Sequence, residues 1–318
     1  MPSNSLVFLL RKSIALALSL SVLYLSFIGI LFDFSILILI ATIIVVIIPG
    51  KNPRLFLADW SLFGLGIFFH TLVRGFADDM KFPIIVEPLL NIERWLFFSS
   101  IPTVWLQDIW HNSVTVHWHE SVLALFYVSF FIFPFIVAYV LWLKSRRQYY
   151  QFALAFTLLN VVSLFIFVFL PTAPPWYAAE QGFFELQRLT ADAIKSFYYV
   201  DQHNFLLINR IFLTPEIANH VAAFPSLHSA WAFLASLFSV HFFGKKFMFL
   251  HIIPIGIWLS VVYFGEHYVV DVLAGIGLAW GAYKFVLHLE KRREIKLSTA
   301  RQTWVIPTFP PSAKKVKL

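Results

Sequence analysis

Long apolar blocks separated by short polar or basic breaks dominate this chain. They run from Ser13 to Leu31, Phe34 to Ile48, Leu55 to Val73, Ser121 to Leu143, Tyr150 to Leu170, Ser226 to Phe243, Phe247 to Phe264 and Tyr268 to His288. A helix rises ~1.5 Å per residue and needs about 20 residues to cross a bilayer, so each block reads as a candidate span. The predicted fold class is all-α: a polytopic transmembrane helical bundle of about eight spans, the last six forming the core. Two long segments, Arg74 to Glu120 and Pro171 to Pro225, interrupt the blocks. The first mixes Trp95, Leu96, Phe97, Phe98, Trp105, Leu106 and Trp110 with polar residues, which predicts helices lying in the membrane interface. The second opens with Pro171, Pro174 and Pro175, which end the preceding helix in a rigid turn that is expected to rim the site. No internal repeat or second soluble domain is visible. The organisation expected is a helix pair over 1–50, a catalytic membrane unit over 51–290 and a basic tail over 291–318.

Composition excludes a soluble domain. The chain is 59% hydrophobic and 13% charged, with a mean hydropathy of +0.77, whereas soluble proteins carry about 25% charged residues. The net charge of +7 is not a nucleic-acid footprint, because the 24 Lys and Arg are sorted by face. With the N-terminus cytoplasmic, only Arg74, Lys81, Arg94, Arg188, Lys195 and Arg210 fall outside. The others occupy inner breaks or the tail, as the positive-inside rule requires and as attraction to anionic headgroups explains. A multi-pass cell-membrane protein with both termini cytoplasmic follows.

The same orientation gathers chemistry on the extracytoplasmic face. His228 and His267 flank two short antiparallel spans joined by Gly244-Lys245-Lys246, so both surface on one side. Ionisable groups there are costly and usually functional. His267 and Asp271 are four apart and share a helix face, so the carboxylate holds one imidazole nitrogen and leaves the other as a nucleophile. Ser226 is a favoured helix cap before His228, and first-turn amides attract anions, which makes Ser226 a phosphate-binding candidate. Trp176 and Tyr177 read as interface anchors and Glu266 as a rim residue. Asp59 and His70 read as cavity-lining groups or internally bonded ones. His117-x-His119 beside Glu120 is a metal-like alternation without a third ligand at recognisable spacing. No metal or cofactor is therefore assigned.

Pro225-Ser226-Leu227-His228 followed by His267-x-x-x-Asp271 resembles the second and third motifs of the type 2 phosphatidic acid phosphatase superfamily. Leu170-Pro171-Thr172-Ala173-Pro174-Pro175-Trp176 and Ala222 to His228 resemble its inositol phosphorylceramide synthase branch. The resemblance implies that His267 attacks phosphorus to form a phosphohistidine, that Asp271 orients it, and that His228 protonates the leaving alkoxide and then activates the acceptor. It departs at Ser260-Val261, where the phosphatase pattern has Ser-Arg, and in lacking the first motif. The phosphate-binding cation is thereby open, with Arg74 and Arg210 as candidates. Phosphotransfer from a lipid phosphate or phospho-headgroup lipid to an alcohol such as inositol or a lipid hydroxyl is the leading reading. Hydrolysis by the same site is the alternative, and a proton-relaying transporter a more distant one.

Overall fold

The computed structural model describes residues 58–69, 83–111, 117–190, 193 and 222–303. The first two apolar blocks, His70, Arg74 and Arg210 lie outside the described residues. Among the described residues ten helices follow in order: α1 (Ala58–Phe69), α2 (Glu87–Leu96), α3 (Pro102–Trp110), α4 (Trp118–Ser129), α5 (Phe133–Lys144), α6 (Arg146–Phe169), α7 (Pro175–Glu180), α8 (Leu227–Phe243), α9 (Ile252–Tyr263) and α10 (Val269–Thr303). A 3-10 turn, Lys245–His251, leads into α9. The fold is an all-α membrane bundle. Arg146–Phe169, Lys245–Tyr263 and Val269–Leu297 are long and apolar enough to cross a membrane, and α4 with α5 makes a fourth span bent by 44°. The eight spans expected from hydropathy are not reached among the described residues, where α1 and α8 are shorter apolar helices.

Local sequence explains the breaks. The expected span from Ser121 to Leu143 divides at Phe130 to Ile132 because Pro134 enters the first turn of α5, where its ring and missing N–H interrupt the helical ladder. Ser226 caps α8 by accepting from the Ser229 amide, and Gly244 at φ +93° ends it. At the other extreme, α10 does not stop at His288 but continues to Thr303. Glu290 and Glu294 extend it by binding Arg147 of α6, at 2.9 and 2.5 Å. The basic tail is therefore helical at its start.

α8 lies along α10, with α6 and α5 behind it, and α4 packs on α9. The core between them is largely aromatic. Phe63 stacks on Phe156 at 4.3 Å, Phe156 meets Trp231 at 4.7 Å, and Trp231 stacks on Phe130 at 4.9 Å. Such pairs add directional attraction to burial. Two buried polar side chains in this layer are bonded in series: Trp231 Nε1 donates to Asn160 Oδ1 at 3.1 Å, and Asn160 Nδ2 donates to the Phe156 carbonyl at 2.8 Å.

α2 and α3 turn Leu89, Leu90, Glu93, Thr103 and Gln107 inward and expose Ile92, Trp95, Trp105 and Ile109. An apolar, aromatic outer face suits helices lying at the headgroups. The proline segment is not a loose rim. Thr172 is bridged on one side to Ile85 and on the other to Ala222, and its Oγ1 accepts from the Phe224 amide at 2.9 Å. The chain entering α8 is thereby pinned.

Candidate active site

The site forms where the first turns of α8 and α10 cross. The Ser226 amide donates to the Asp271 carbonyl at 3.0 Å. Directly beside this bond is Gly275, where an added Cβ would stand 2.3 Å from the Ser226 carbonyl oxygen. Only glycine permits an approach this close. The crossing places His228 Nδ1 3.0 Å from His267 Nε2. Asp271 is fully buried; its Oδ2 accepts from the Tyr268 amide at 2.9 Å and lies 3.5 Å from His267 Nδ1, longer than a strong hydrogen bond. The three residues singled out in the sequence are thus assembled, and Ser226 is buried beneath them as the helix cap.

His267 is delivered by a tight turn. Gly265, at φ +81°, reverses the chain after α9, and the Glu266 and His267 amides both donate to the Val261 carbonyl, at 2.9 and 3.1 Å. Val261 itself is wholly buried in the core, so the position where the family pattern has arginine contributes a carbonyl and no charge.

Several contributing residues carry no recognisable signal in the sequence. Glu93 of α2 is buried and accepts from the Val269 and Val270 amides, at 2.9 and 3.1 Å. Together with Asp271 it occupies the amides of the α10 N-terminus, where the helix dipole favours negative charge. Burial pushes the Glu93 carboxyl above the ordinary carboxylate value; the two amides oppose this and the Asp271 charge adds to it. His228 lies against an aromatic wall, stacked on Tyr127 at 5.2 Å and tilted on Phe130 at 4.4 Å, both delivered by the bend between α4 and α5.

Arg188 stood in the sequence only as one outer basic residue. Its Nε and Nη2 donate to the two oxygens of Glu266, at 2.9 and 3.2 Å, and its guanidinium lies 4.1 Å over the Trp176 ring. Thr190 Oγ1 also donates to Glu266, at 2.5 Å. Trp176 is accordingly buried, not an interface anchor, and its amide donates to the Gly265 carbonyl at 3.0 Å. Glu266 is likewise buried, holding Arg188 instead of lying on an open rim.

Other expectations resolve differently. Asp59 does not line the site; it binds Trp142, Arg146 and Tyr150 at the opposite end of the bundle. His111 Nδ1 contacts Glu120 Oε1 at 2.8 Å, and Tyr263 OH donates to the same oxygen at 2.7 Å. Glu120 is therefore part of a hydrogen-bonded network, and no metal-binding group of His and acids occurs among the described residues.

Residues 87–285 match the PAP2 superfamily. The chain belongs to that superfamily. Among similar curated proteins, the phosphoinositol dihydroceramide synthase of Bacteroides thetaiotaomicron is 26% identical over 239 residues, covering 73% of this chain and 76% of that protein. The catalytic subunits of inositol phosphorylceramide synthase of Schizosaccharomyces pombe and Saccharomyces cerevisiae are 26% and 29% identical, covering 78% and 75% of this chain. The matches span 56% and 58% of those longer yeast proteins. No solved structure matches the chain.

Proposed function

We propose that this PAP2 protein is a phosphotransferase that moves a phosphoinositol group from a donor lipid to the hydroxyl of a ceramide-type lipid at the extracytoplasmic face. The observation that carries the chemistry is the 3.0 Å approach of His228 Nδ1 to His267 Nε2, with Asp271 behind His267. The names of the similar proteins motivate the donor and acceptor.

At that spacing the rings must part to admit a phosphoryl group. His267 Nε2 then attacks phosphorus, and the bond from phosphorus to the donor's lipid oxygen breaks. His228 gives that oxygen its proton. The Asp271 carboxylate supports the positive charge developing on His267 through Nδ1–H. In the second half, His228 takes the proton of the acceptor hydroxyl, whose oxygen attacks phosphorus as the P–N bond breaks, regenerating His267. The Leu227 and His228 amides at the start of α8 would meet the phosphate oxygens. The basic residues at the inner ends of α6 and α10 support the orientation, since the site lies at the opposite end of both helices.

The test is transfer in proteoliposomes from phosphatidylinositol labelled in its headgroup phosphate, with and without ceramide. Label should move to ceramide and fall to background in His267→Ala. Free inositol phosphate formed without acceptor would make the protein a hydrolase, and equal transfer in His267→Ala would remove the assignment.

A further inference from the structure

The family's arginine is missing at position 261, so the site needs another cation to hold the transferred phosphate. Two cations of the outer segments are among the described residues, Arg94 and Arg188. Arg94 sits in the last turn of α2, and its charge is felt by Tyr268. Arg188 is held by Glu266, the residue immediately before His267, and by Trp176, whose amide is bonded to Gly265 of the same turn. It therefore stands on the turn that delivers His267.

We propose that Arg188 and Glu266 together form the phosphate subsite of the reaction, and that the pair selects a singly charged phosphodiester over a doubly charged phosphate monoester. This rests on the phosphotransfer reading above. The guanidinium is fixed in two directions: Glu266 locks the Nε and Nη2 edge, and Trp176 supports its face. Its Nη1 has no hydrogen-bond partner among the described residues. The side chain is 36% exposed against 10% for Glu266, so the cation is the member that faces the open side. A guanidinium ordered in this way binds phosphate oxygens with little further loss of freedom.

Glu266 decides the charge that fits. A lone arginine would attract a dianion more strongly than a monoanion. Beside a buried carboxylate the pair is close to neutral, so each ligand charge gains little from it, while the desolvation cost of a dianion is far larger than that of a monoanion. A phosphodiester joining headgroup and lipid carries one charge. The pair thus favours headgroup transfer over dephosphorylation of a lipid monoester.

The experiment uses the full chain in mixed micelles. It follows transfer from phosphatidylinositol, inhibition by phosphatidic acid, and thermal stabilisation by each lipid, in Arg188→Ala, Arg188→Lys, Glu266→Gln and Arg94→Ala. Arg188→Ala should raise KM for phosphatidylinositol by about 30-fold, and Arg188→Lys should restore only part of this because a point charge lacks the fork. Arg94→Ala should stay within about twofold, as for a cation outside the subsite. Glu266→Gln should bind phosphatidic acid about tenfold more tightly relative to phosphatidylinositol. An unchanged KM in Arg188→Ala, with transfer still dependent on His267, would overturn the subsite alone. Equal losses in Arg188→Ala and Glu266→Gln with no shift in lipid preference would make the pair purely structural. Should Arg188→Ala fail to fold, Arg188→Lys and Glu266→Gln carry the test. The stabilisation readout needs no turnover, so it reports on the subsite even where the transfer reading itself fails.

Discussion

At the end of the bundle remote from the two histidines Asp59 is buried and saturated with donors: Trp142 Nε1 at 2.9 Å, Arg146 Nε at 2.8 Å and a second Arg146 nitrogen, and Tyr150 OH at 2.6 Å. At the site Asp271 is equally buried, yet only its Oδ2 has a hydrogen bond, from the Tyr268 amide. Its Oδ1 and His267 Nδ1 are buried without hydrogen-bond partners among the described residues. Buried polar groups in a low-dielectric interior are normally satisfied, because leaving one unmade costs about 1–3 kcal/mol. The Asp59 carboxylate has settled its bonds in the resting protein. Under the proposed mechanism the Asp271 carboxylate keeps capacity for the charge that would appear on His267. Equal burial therefore separates into two roles by hydrogen-bond saturation.

The largest effect that sharpens this contrast comes from replacing each carboxylate by its amide. Asp271→Asn should lower kcat by about a thousandfold, since an amide neither fixes the histidine tautomer nor supports its charge, while the melting temperature changes little. Asp59→Asn should do the reverse: the amide's NH2 faces the Arg146 and Tyr150 donors, costing about 1–3 kcal/mol in unfolding while turnover per folded molecule is retained. Thermal unfolding and single-turnover transfer measured on the two variants check both. Loss of turnover in Asp59→Asn without loss of stability would break the comparison.

Gly275→Ala comes next. An added methyl meets the Ser226 carbonyl at 2.3 Å, so the first turn of α8 has to withdraw from α10. Because His228 rides on that turn, a shift of even 1 Å should reduce kcat by about a hundredfold. Overpacking adds about 1–3 kcal/mol of destabilisation. Around Asp59 the contacts are made instead by the long side chains of Arg146 and Tyr150. A Gly275→Ala enzyme with parental kcat would show that the His228 to His267 spacing is not set by this contact.

The sequence made some of this legible and hid the rest for physical reasons. His228, His267 and Asp271 were readable because polar groups in an apolar chain are few and their spacing follows the helix period. The helices α6 and α8 were readable as long apolar blocks within a few residues, and α10 at its start, while its extension from His288 to Thr303 was not, because charged residues carry it. The break at Phe130 to Ile132 was foreshadowed only by Pro134. Glu93 and Arg188 were invisible because they act across 176 and 78 residues of chain, and no local period records such contacts. Trp176 was misplaced for the same reason: an aromatic next to prolines looks like an interface anchor until the cation stacked on it is seen.

The smallest predicted effect is at Glu93, the carboxylate beside the site whose bonds are made. Glu93→Gln keeps one acceptor oxygen for the α10 amides and loses the other, which should lower kcat by about threefold to tenfold through a slackened His267 turn, with KM unchanged. Stability should respond in the opposite sense with pH. Burial raises the Glu93 carboxyl in the folded protein, with Asp271 adding to it, so the folded state binds this proton more tightly than the unfolded chain. The contribution is therefore present at acid pH and is lost as pH rises from the ordinary glutamate value of about 4.3 through the raised folded value. Above that window the wild type carries a buried charge that the glutamine variant lacks. Glu93→Gln should then match or slightly exceed the wild type in unfolding temperature at neutral pH, and lose the acid-side slope. A variant markedly less stable at neutral pH would mean that the two amide bonds outweigh burial, and that Glu93 belongs with Asp59 among the saturated carboxylates.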